Sequence, residues 1–328
     1  MNKEFALLNL LADGKFHSGE SLGEALSLSR SGVWKCVNKL MRNYHVECHR
    51  VKGRGYKVPG GVELLDETGM QSFLSSDARD QLSNILILPT IPSTNAYVLD
   101  HLDKGLSKGF ACFAEHQSAG KGRRGRPWFS PLGCNVFMSV LWKFSQDVSA
   151  LQGLTLSVAV AVSKALREYG IEGVEVKWPN DIYFKGKKLA GILIEMQAVA
   201  HVNTWIVVGV GLNLKMPAAS ADLIDQPWVD VKSILGKNPA RNHISGLLLN
   251  SVLETLPAFE REGFAPFADD WRTVDMLYGR TVNIMRGDEQ LTGAARGIDA
   301  EGALRVEIDG EIQAFHSGEV SLRVGSQA

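Results

Sequence analysis

The sequence predicts a multi-domain α+β protein with an N-terminal helical domain, a central mixed α/β domain and a small C-terminal β-barrel. The chain has 328 residues, 45% of them hydrophobic, which is enough for two or three domains with buried cores. Pro59-Gly-Gly61 has the composition of a linker. From Gly279 onward the sequence changes to short strands at regular spacing. We therefore predict domains over residues 1–61, 62–272 and 273–328.

Composition indicates a cytoplasmic protein whose N-terminal domain is basic. The formal net charge is −1, but residues 1–61 hold ten Lys and Arg against five Asp and Glu. A small basic domain on an acidic body is typical of a polyanion-binding module attached to an enzyme. The four cysteines are scattered without a Cys-x-x-Cys pair, which argues against a zinc site or a disulfide framework. We see neither a signal-peptide pattern nor an apolar run of the ~18–20 residues that span a membrane, and we expect no membrane partner.

The N-terminal domain has the pattern of a winged helix-turn-helix. Apolar spacing and a cap at Ser18 predict three helices, over residues 5–12, 18–26 and 30–41. The second and third are joined by a short turn, as in a helix-turn-helix. Residues 45–58 then alternate and turn at Gly53-Arg-Gly55, which predicts a two-stranded wing.

A basic helix-turn-helix with a wing predicts DNA binding, and the alternative is a helical packing or dimerisation module. The third helix would face the major groove with Arg30, Ser31, Trp34, Lys35 and Asn38. The wing would contact phosphates through Arg50, Lys52 and Arg54. A helix-turn-helix that recognises a palindrome needs two copies, so a two-fold dimer is implied.

The central domain alternates short apolar runs with amphipathic helices. Residues 62–84 predict a connecting helix, and Ser93 is placed to open a further helix. Long helices are predicted at Leu154–Tyr169 and Arg241–Glu262. Short connections predict a mostly antiparallel sheet made of strands at residues 85–88, 110–114, 135–142, 174–178, 182–184, 189–196 and 205–214.

The C-terminal segment predicts hairpins. Its turns fall at residues 286–288, 299–302 and 309–310, and apolar residues alternate at Leu304, Val306 and Ile308. About fifty residues with this pattern suit a small β-barrel.

Three polar or cationic loops follow predicted strands in the central domain. The first is Ser93-Thr94-Asn95, the second is the glycine–arginine loop at residues 115–128, and the third spans Lys177–Asp181 with Lys187–Gly191 nearby. Glycines permit close backbone approach to a ligand, and the cations suit a reaction that gathers negative charge, such as carboxylate attack on a nucleoside triphosphate. Taken alone, the basic loop equally fits a solvated segment or a nucleic-acid contact. Gly209-Val-Gly211 is only a weak partial match to a dinucleotide fingerprint.

These motifs together resemble the biotin protein ligase family. The resemblance rests on Gly-Lys-Gly-Arg-Arg-Gly-Arg with a following Trp, then Lys-Trp-Pro-Asn-Asp, Lys-Leu-Ala-Gly-Ile-Leu and Gly-Val-Gly-Leu-Asn, in that order. It covers nearly the full length, and the N-terminal helix-turn-helix makes the chain similar to the bifunctional members that also repress the biotin operon. A class II synthetase-like catalytic domain and an SH3-like C-terminal barrel are implied. Lipoate ligases share the central fold, but the Lys177–Asp181 motif and the arginine-rich loop favour biotin.

The resemblance implies a two-step reaction. Biotin's carboxylate attacks the α-phosphate of Mg-ATP to give biotinoyl-5′-AMP, and a lysine of biotin carboxyl carrier protein then displaces AMP. It also implies that biotinoyl-AMP acts as corepressor, promoting a homodimer that binds operator DNA. The second hypothesis is a ligand-sensing transcription factor of this fold without catalysis, against which the intact lysines and arginines argue.

The resemblance also implies roles for individual residues. Biotin would be bound by Ser93, Thr94, Asn95, Gln117, Gly120, Lys121, Gly122, Arg123 and Lys188, with Lys188 and Arg123 catalytic. ATP and the adenylate would be bound by Arg124, Arg126, Trp128, Lys177, Asn180, Asp181 and Asn213. Mg²⁺ would enter with ATP; no metal site of the protein itself is predicted, and the ligands of that Mg²⁺ are not assigned.

Several of these residues have structural alternatives. Lys188 can be a solvated loop lysine, and Arg124 and Arg126 can order the loop instead of contacting phosphates. Ser93 can cap a helix at the same time. Trp128 can anchor the loop by packing instead of meeting nucleotide. Asp181 can orient Mg²⁺ or a lysine, or hold its turn. Asn213 can contact nucleotide or satisfy buried backbone.

Two features depart from the family pattern. Lys121 stands where the family usually has Arg, so the charge is kept but the planar bidentate fork is lost. Trp34 and Cys36 lie in the recognition helix, so no operator sequence is implied.

Overall fold

The computed structural model describes residues 3–199, 203–218, 223–286, 289–316 and 321–324. The N-terminal elements are α1 (Lys3–Leu11), α2 (Gly19–Leu26), α3 (Arg30–Asn43), β1 (His49–Val51) and β2 (Gly55–Lys57). Ser18 and Ser29 cap α2 and α3 through their side chains, as helix N-termini require. Leu7, Val33, Leu40 and other apolar residues form a separate small core, into which Leu132 of the central domain also packs.

The central elements begin with α4 (Glu67–Gln71), α5 (Ser76–Gln81), β3 (Asn84–Leu88), α6 (Thr94–Leu99), β4 (Phe110–Ala114) and β5 (Asn135–Phe144). They continue with α7 (Leu154–Glu168), β6 (Val174–Lys177), β7 (Asp181–Phe184), β8 (Lys187–Val199) and β9 (Asn203–Asn213). The last three are α8 (Val231–Leu235), α9 (Arg241–Glu262) and α10 (Ala268–Val274).

Seven strands form one mixed sheet in the order β3-β4-β5-β9-β8-β7-β6. Among the described strand pairs of this sheet, only β3 and β4 are parallel, so the prediction of a mostly antiparallel sheet is confirmed. Both faces are covered. Helices α7 and α9 pack on one face, while Val98 of α6 packs with Phe110, Cys112 and Ala114 on the other. This explains why every residue of β4 is buried.

The prediction of a connecting helix over residues 62–84 was wrong in extent. The segment instead holds the two short helices α4 and α5, each capped by a side chain, Asp66 and Ser75. Both pack against α9. Their short length follows from the separate caps, since a new N-cap at Ser75 begins a second helix.

One helical stretch, Val148–Glu168, is long and apolar enough to cross a membrane by length and composition, although no such run was predicted. Most of it is buried inside the protein, where α7 packs against α9 and the sheet. The core helix of a globular domain has the same composition, so this stretch is weak evidence for a membrane span.

The C-terminal elements are β10 (Thr281–Arg286), β11 (Glu289–Ile298), β12 (Leu304–Ile308), β13 (Glu311–Phe315) and β14 (Ser321–Val324). They form one antiparallel sheet in the order β13-β12-β11-β10-β14. Residues 287–288 of the predicted 286–288 turn lie outside the described residues. The Trp178 indole donates to the Gly302 carbonyl (3.0 Å), which joins this sheet to the central domain beside the Lys177–Asp181 motif.

Candidate active site

A pocket lies where the three predicted loops meet over β8 and β9. Fourteen of the predicted residues line it: Ser93, Thr94, Asn95, Gln117, Lys121, Gly122, Arg123, Arg124, Arg126, Trp128, Lys177, Asn180, Asp181 and Lys188. The lining residues that sequence reasoning missed include Phe137, Trp178, Tyr183, Gly191, Leu193, Gly209 and Gln226. Trp178, Gly191 and Gly209 lie in the motifs quoted above, but no role was predicted for them. Phe137 and Tyr183 lie on strands, at positions that no sequence signal separated from core residues.

The inner end of the pocket is a buried polar network around Asn95. Its amide oxygen accepts from the Ser139 hydroxyl (2.6 Å), and its amide nitrogen donates to the Glu195 carboxylate (2.8 Å) and the Leu193 carbonyl (3.2 Å). Asn95 is only 4% exposed, so these bonds fix its orientation. The network explains Gly209, because a Cβ there would lie 2.4 Å from the Asn95 amide oxygen.

Gln117 connects the first two loops. Its amide oxygen accepts from the backbone N–H (2.8 Å) and the hydroxyl (3.2 Å) of Thr94, and its amide nitrogen donates to the Ser130 hydroxyl (3.4 Å). Ser93, 5% exposed, caps α6 through its side chain. The capping role weighed for Ser93 is therefore present beside the pocket.

The glycine–arginine loop closes on itself across the pocket. Gly122 N–H donates to the Arg126 carbonyl (2.7 Å), and Trp128 N–H to the Gly120 carbonyl (2.8 Å). At the tip Arg124 has φ 57°, a left-handed conformation that a non-glycine residue adopts at a cost. Gly120 does not line the pocket; a Cβ there would lie 2.7 Å from the Trp128 carbonyl oxygen, so its glycine permits the close approach.

The Trp128 indole packs over Gly191 and Gly211, which also line the pocket. A Cβ at Gly211 would approach its indole to 2.9 Å and one at Gly191 to 3.1 Å, so the two glycines provide the space for the ring. The Gly209-Val-Gly211 motif is thus explained by Asn95 and Trp128. Within the part of the chain that the structure describes, the buried indole N–H of Trp128 has no hydrogen-bond partner, and Trp128 lines the pocket.

The opposite wall concentrates cations around a single carboxylate. Lys188 Nζ lies 2.9 Å from Asp181 Oδ1 and 5.4 Å from the centre of the Trp128 ring. Burial lowers the pKa of Lys177 and of Arg123, and the charge of Asp181 opposes both shifts. One carboxylate against three half-buried cations leaves a site that favours an anionic ligand.

Asn180 holds the Arg123 guanidinium in this wall. Its amide oxygen accepts from Arg123 Nη1 (3.1 Å), and its amide nitrogen donates to the Ile192 carbonyl (2.8 Å). The tip of the loop is therefore attached to β8 through one asparagine.

Among the described residues, no group of three His, Cys, Asp or Glu has the geometry to hold a metal ion.

The segment 226–229, which sequence reasoning missed, flanks Lys188. Lys188 N–H donates to the Pro227 carbonyl and Val229 N–H to the Lys188 carbonyl, both at 2.9 Å. Asn213 donates to the Val229 carbonyl (3.3 Å) and lies outside the pocket lining. Of its two predicted roles, the structure shows the bond to buried backbone.

The residues predicted for DNA binding lie together on α3 and the β1–β2 hairpin. The Trp34 side chain is 51% exposed, and Arg30, Ser31 and Lys35 are exposed beside it. Two of the remaining residues pair with each other, since Arg50 Nη2 donates to Asn38 Oδ1 (2.6 Å). On the hairpin Lys52 is exposed, and the Arg54 guanidinium lies 4.3 Å from the centre of the Phe16 ring.

Comparison with known proteins gives the family. Residues 87–213 match the model of the biotin/lipoate A/B protein ligase family, and residues 278–323 match the biotin protein ligase C-terminal domain. The chain is 41% identical to a bifunctional ligase/repressor BirA of Salmonella typhimurium, over 97% of this chain and 96% of that protein. The corresponding protein of Escherichia coli is 39% identical over the same shares.

A solved structure shows the same fold. It is a biotin protein ligase from Aquifex aeolicus in complex with biotin and ATP, 28% identical, with a TM-score of 0.63 over 74% of this chain and 100% of that one. A fold with a cation-lined pocket under a glycine–arginine loop defines the class as a ligase of the biotin/lipoate type. The chain belongs to the biotin protein ligase family.

Proposed function

We propose that this chain is an ATP-dependent biotin protein ligase that forms biotinoyl-5′-AMP and transfers biotin to a lysine of biotin carboxyl carrier protein. The observation that carries the proposal is the cluster of Lys188, Lys177 and Arg123 around Asp181, facing a pocket closed by the glycine–arginine loop. Family membership and the names of the relatives support it.

In the first step a carboxylate oxygen of biotin attacks the α-phosphorus of ATP, and the bond to the β-phosphate breaks to release pyrophosphate. Both reactants are anions, so positioned cations offset their repulsion and stabilise the charge that develops in the transition state. Lys188 is the main cation in this proposal, held by Asp181 at 2.9 Å. Mg²⁺ enters as part of the ATP substrate.

In the second step the lysine amine of the carrier protein attacks the carbonyl carbon of the mixed anhydride and loses a proton, and AMP leaves. The adenylate hydrolyses if water reaches it, so the loop over the pocket has a protective role. The polar groups around Thr94 and Gln117 suit the biotin ring and carboxylate, and Arg124, Arg126 and Lys177 suit phosphate.

The experiment is labelling of a carrier-protein lysine by the purified chain with biotin and ATP. We expect transfer that requires both substrates and Mg²⁺, together with pyrophosphate exchange that requires biotin. Absence of both reactions would rule out the enzyme.

We also propose that the chain represses transcription of biotin-synthesis genes, with biotinoyl-AMP as corepressor and a homodimer as the DNA-binding form. Residues 3–58 form a winged helix-turn-helix in this proposal, with the 51%-exposed Trp34 on the outward face of α3. The names of the full-length relatives support repression. A repressor acts where DNA is, so we place the protein in the cytoplasm.

A DNA-binding assay with and without biotinoyl-AMP tests the repressor proposal. We expect tighter operator binding and a dimer with the ligand. DNA binding that does not respond to biotinoyl-AMP would reject the corepressor role and leave the ligase proposal intact.

A further inference from the structure

The segment joining the N-terminal domain to the central domain is held by side chains at three successive carbonyls. Lys215 Nζ donates to the carbonyl oxygens of Pro59 (3.0 Å) and Gly61 (2.8 Å). Asn238 Nδ2 donates to the carbonyl oxygen between them, on Gly60 (2.9 Å). A Pro-Gly-Gly segment without such contacts is a flexible linker, so these bonds change its physical character.

The other side of this linker packs against the turn that follows α1. Val62 N–H donates to the Ala12 carbonyl (3.0 Å), and a Cβ on Gly61 would lie 2.5 Å from the same oxygen. A Cβ on Gly14 would lie 2.7 Å from Gly61 nitrogen. The linker is therefore packed between the N-terminal domain on one side and Lys215 with Asn238 on the other.

Lys215 also lies on a path of hydrogen bonds from the candidate active site. It comes two residues after β9, and its N–H donates to the Cys134 carbonyl (2.9 Å). The next residue, Met216, donates from its N–H to the Asp230 carboxylate (2.7 Å), and the neighbouring Val229 bonds the backbone of Lys188. The segment that flanks Lys188 is thus hydrogen-bonded, through Asp230, to the segment that carries Lys215.

We propose that Lys215, assisted by Asn238, is a positioning residue that fixes the angle of the N-terminal domain on the catalytic domain. In a dimer this angle sets the distance between the two copies of α3, and therefore the spacing of DNA half-sites that fits both. The functional consequence rests on the proposed repressor function. The joint, by which we mean the contacts of Lys215 and Asn238 with residues 59–61, does not rest on that function, because these contacts exist within a single chain.

Hydrogen–deuterium exchange of the full-length protein tests the joint directly. In Lys215→Met the cation is replaced by an apolar chain of similar length, and we expect exchange of residues 58–63 to rise about tenfold or more. Lys215→Arg keeps a charged donor and retains much of the protection. Lys237→Met, the same substitution at an exposed lysine next to Asn238, is the matched control and leaves exchange unchanged.

A second experiment measures DNA binding as a function of half-site spacing. It uses operator DNA selected with the unmodified protein, in the presence of biotinoyl-AMP, with the distance between half-sites varied in single base pairs. We expect one preferred spacing for the unmodified protein, and for Lys215→Met a flatter profile with about tenfold weaker binding at the optimum. Biotin transfer stays within about twofold, since Lys215 does not line the pocket. A spacing profile unchanged in Lys215→Met would overturn the link to DNA spacing.

The two proposals fail separately. Unchanged exchange at residues 58–63 in Lys215→Met overturns the joint, whatever the DNA-binding experiment shows. No binding of any DNA by the unmodified protein overturns the repressor proposal, while the exchange result still decides whether Lys215 holds the joint.

Discussion

Removal of the buried cation Arg241 should destabilise the catalytic domain more than any loss of a surface charge. Arg241 and Glu115 are 3% and 1% exposed and form an ion pair through Nη1 and Oε2. The Arg241 Nε also donates to the Asn135 carbonyl (2.9 Å), and Glu115 accepts from Leu65 N–H (2.6 Å). The pair therefore connects the start of α9, the end of β4, the start of β5 and the segment after the linker.

In Arg241→Met the Glu115 carboxylate keeps only the Leu65 N–H among these partners and has little access to water. Breaking a buried pair by removing one partner costs about 3–5 kcal/mol, because the remaining charge is uncompensated. That is a large part of a typical unfolding free energy of about 5–15 kcal/mol.

Urea unfolding monitored by tryptophan fluorescence measures the loss. The double variant Arg241→Met with Glu115→Gln removes both charges. We therefore expect its loss of unfolding free energy to be at least about 1 kcal/mol smaller than the sum of the losses in the two single variants. A loss below about 1 kcal/mol in Arg241→Met, or strict additivity in the double variant, would refute the argument that the pair carries this energy.

Three further predictions concern the pocket and its surroundings. Lys188→Ala should slow adenylate formation, measured by pyrophosphate exchange, roughly a hundredfold, as expected on losing a transition-state cation. Lys187→Ala, at an exposed lysine, is the control. A rate of adenylate formation in Lys188→Ala equal to that of the unmodified protein would remove Lys188 from this role. Gly209→Ala places a Cβ 2.4 Å from the Asn95 amide oxygen and should weaken biotin binding by calorimetry about tenfold or more, so unchanged affinity would contradict a role for that network. Burial lowers the pKa of His116 from 6.5 to about 4, with a smaller contribution from the charge of a neighbouring histidine. Between about pH 4 and pH 6.5 the unfolded chain therefore holds a proton on His116 that the folded protein has lost. The contribution of His116 to the free energy of unfolding is fully present above about pH 6.5, and about 2 kcal/mol of it is lost by pH 5. A pH-independent stability difference between the native protein and His116→Gln would exclude that cost.

Local structure could be predicted from the sequence because its signals act between near neighbours. A short apolar run predicted β4 at Phe110–Ala114, and apolar residues at helical spacing predicted α9 at Arg241–Glu262; the structure has both with these bounds. The segment 62–84 was wrong because Ser75 supplies a second cap, a signal that apolar spacing does not register.

The motifs taken together indicated the family and the three loops, and fourteen of the predicted residues line the pocket, because each motif is a short pattern that can be read along the chain. Only the tertiary structure decided which groups pair. Asn95 meets Glu195 across one hundred residues, and Arg241 meets Glu115 across 126. Such contacts depend on how the strands register and how the helices pack, and periodicity along the chain carries no information about them. For the same reason Lys215, which no motif contains, becomes visible only where the fold brings it to the carbonyls of the linker.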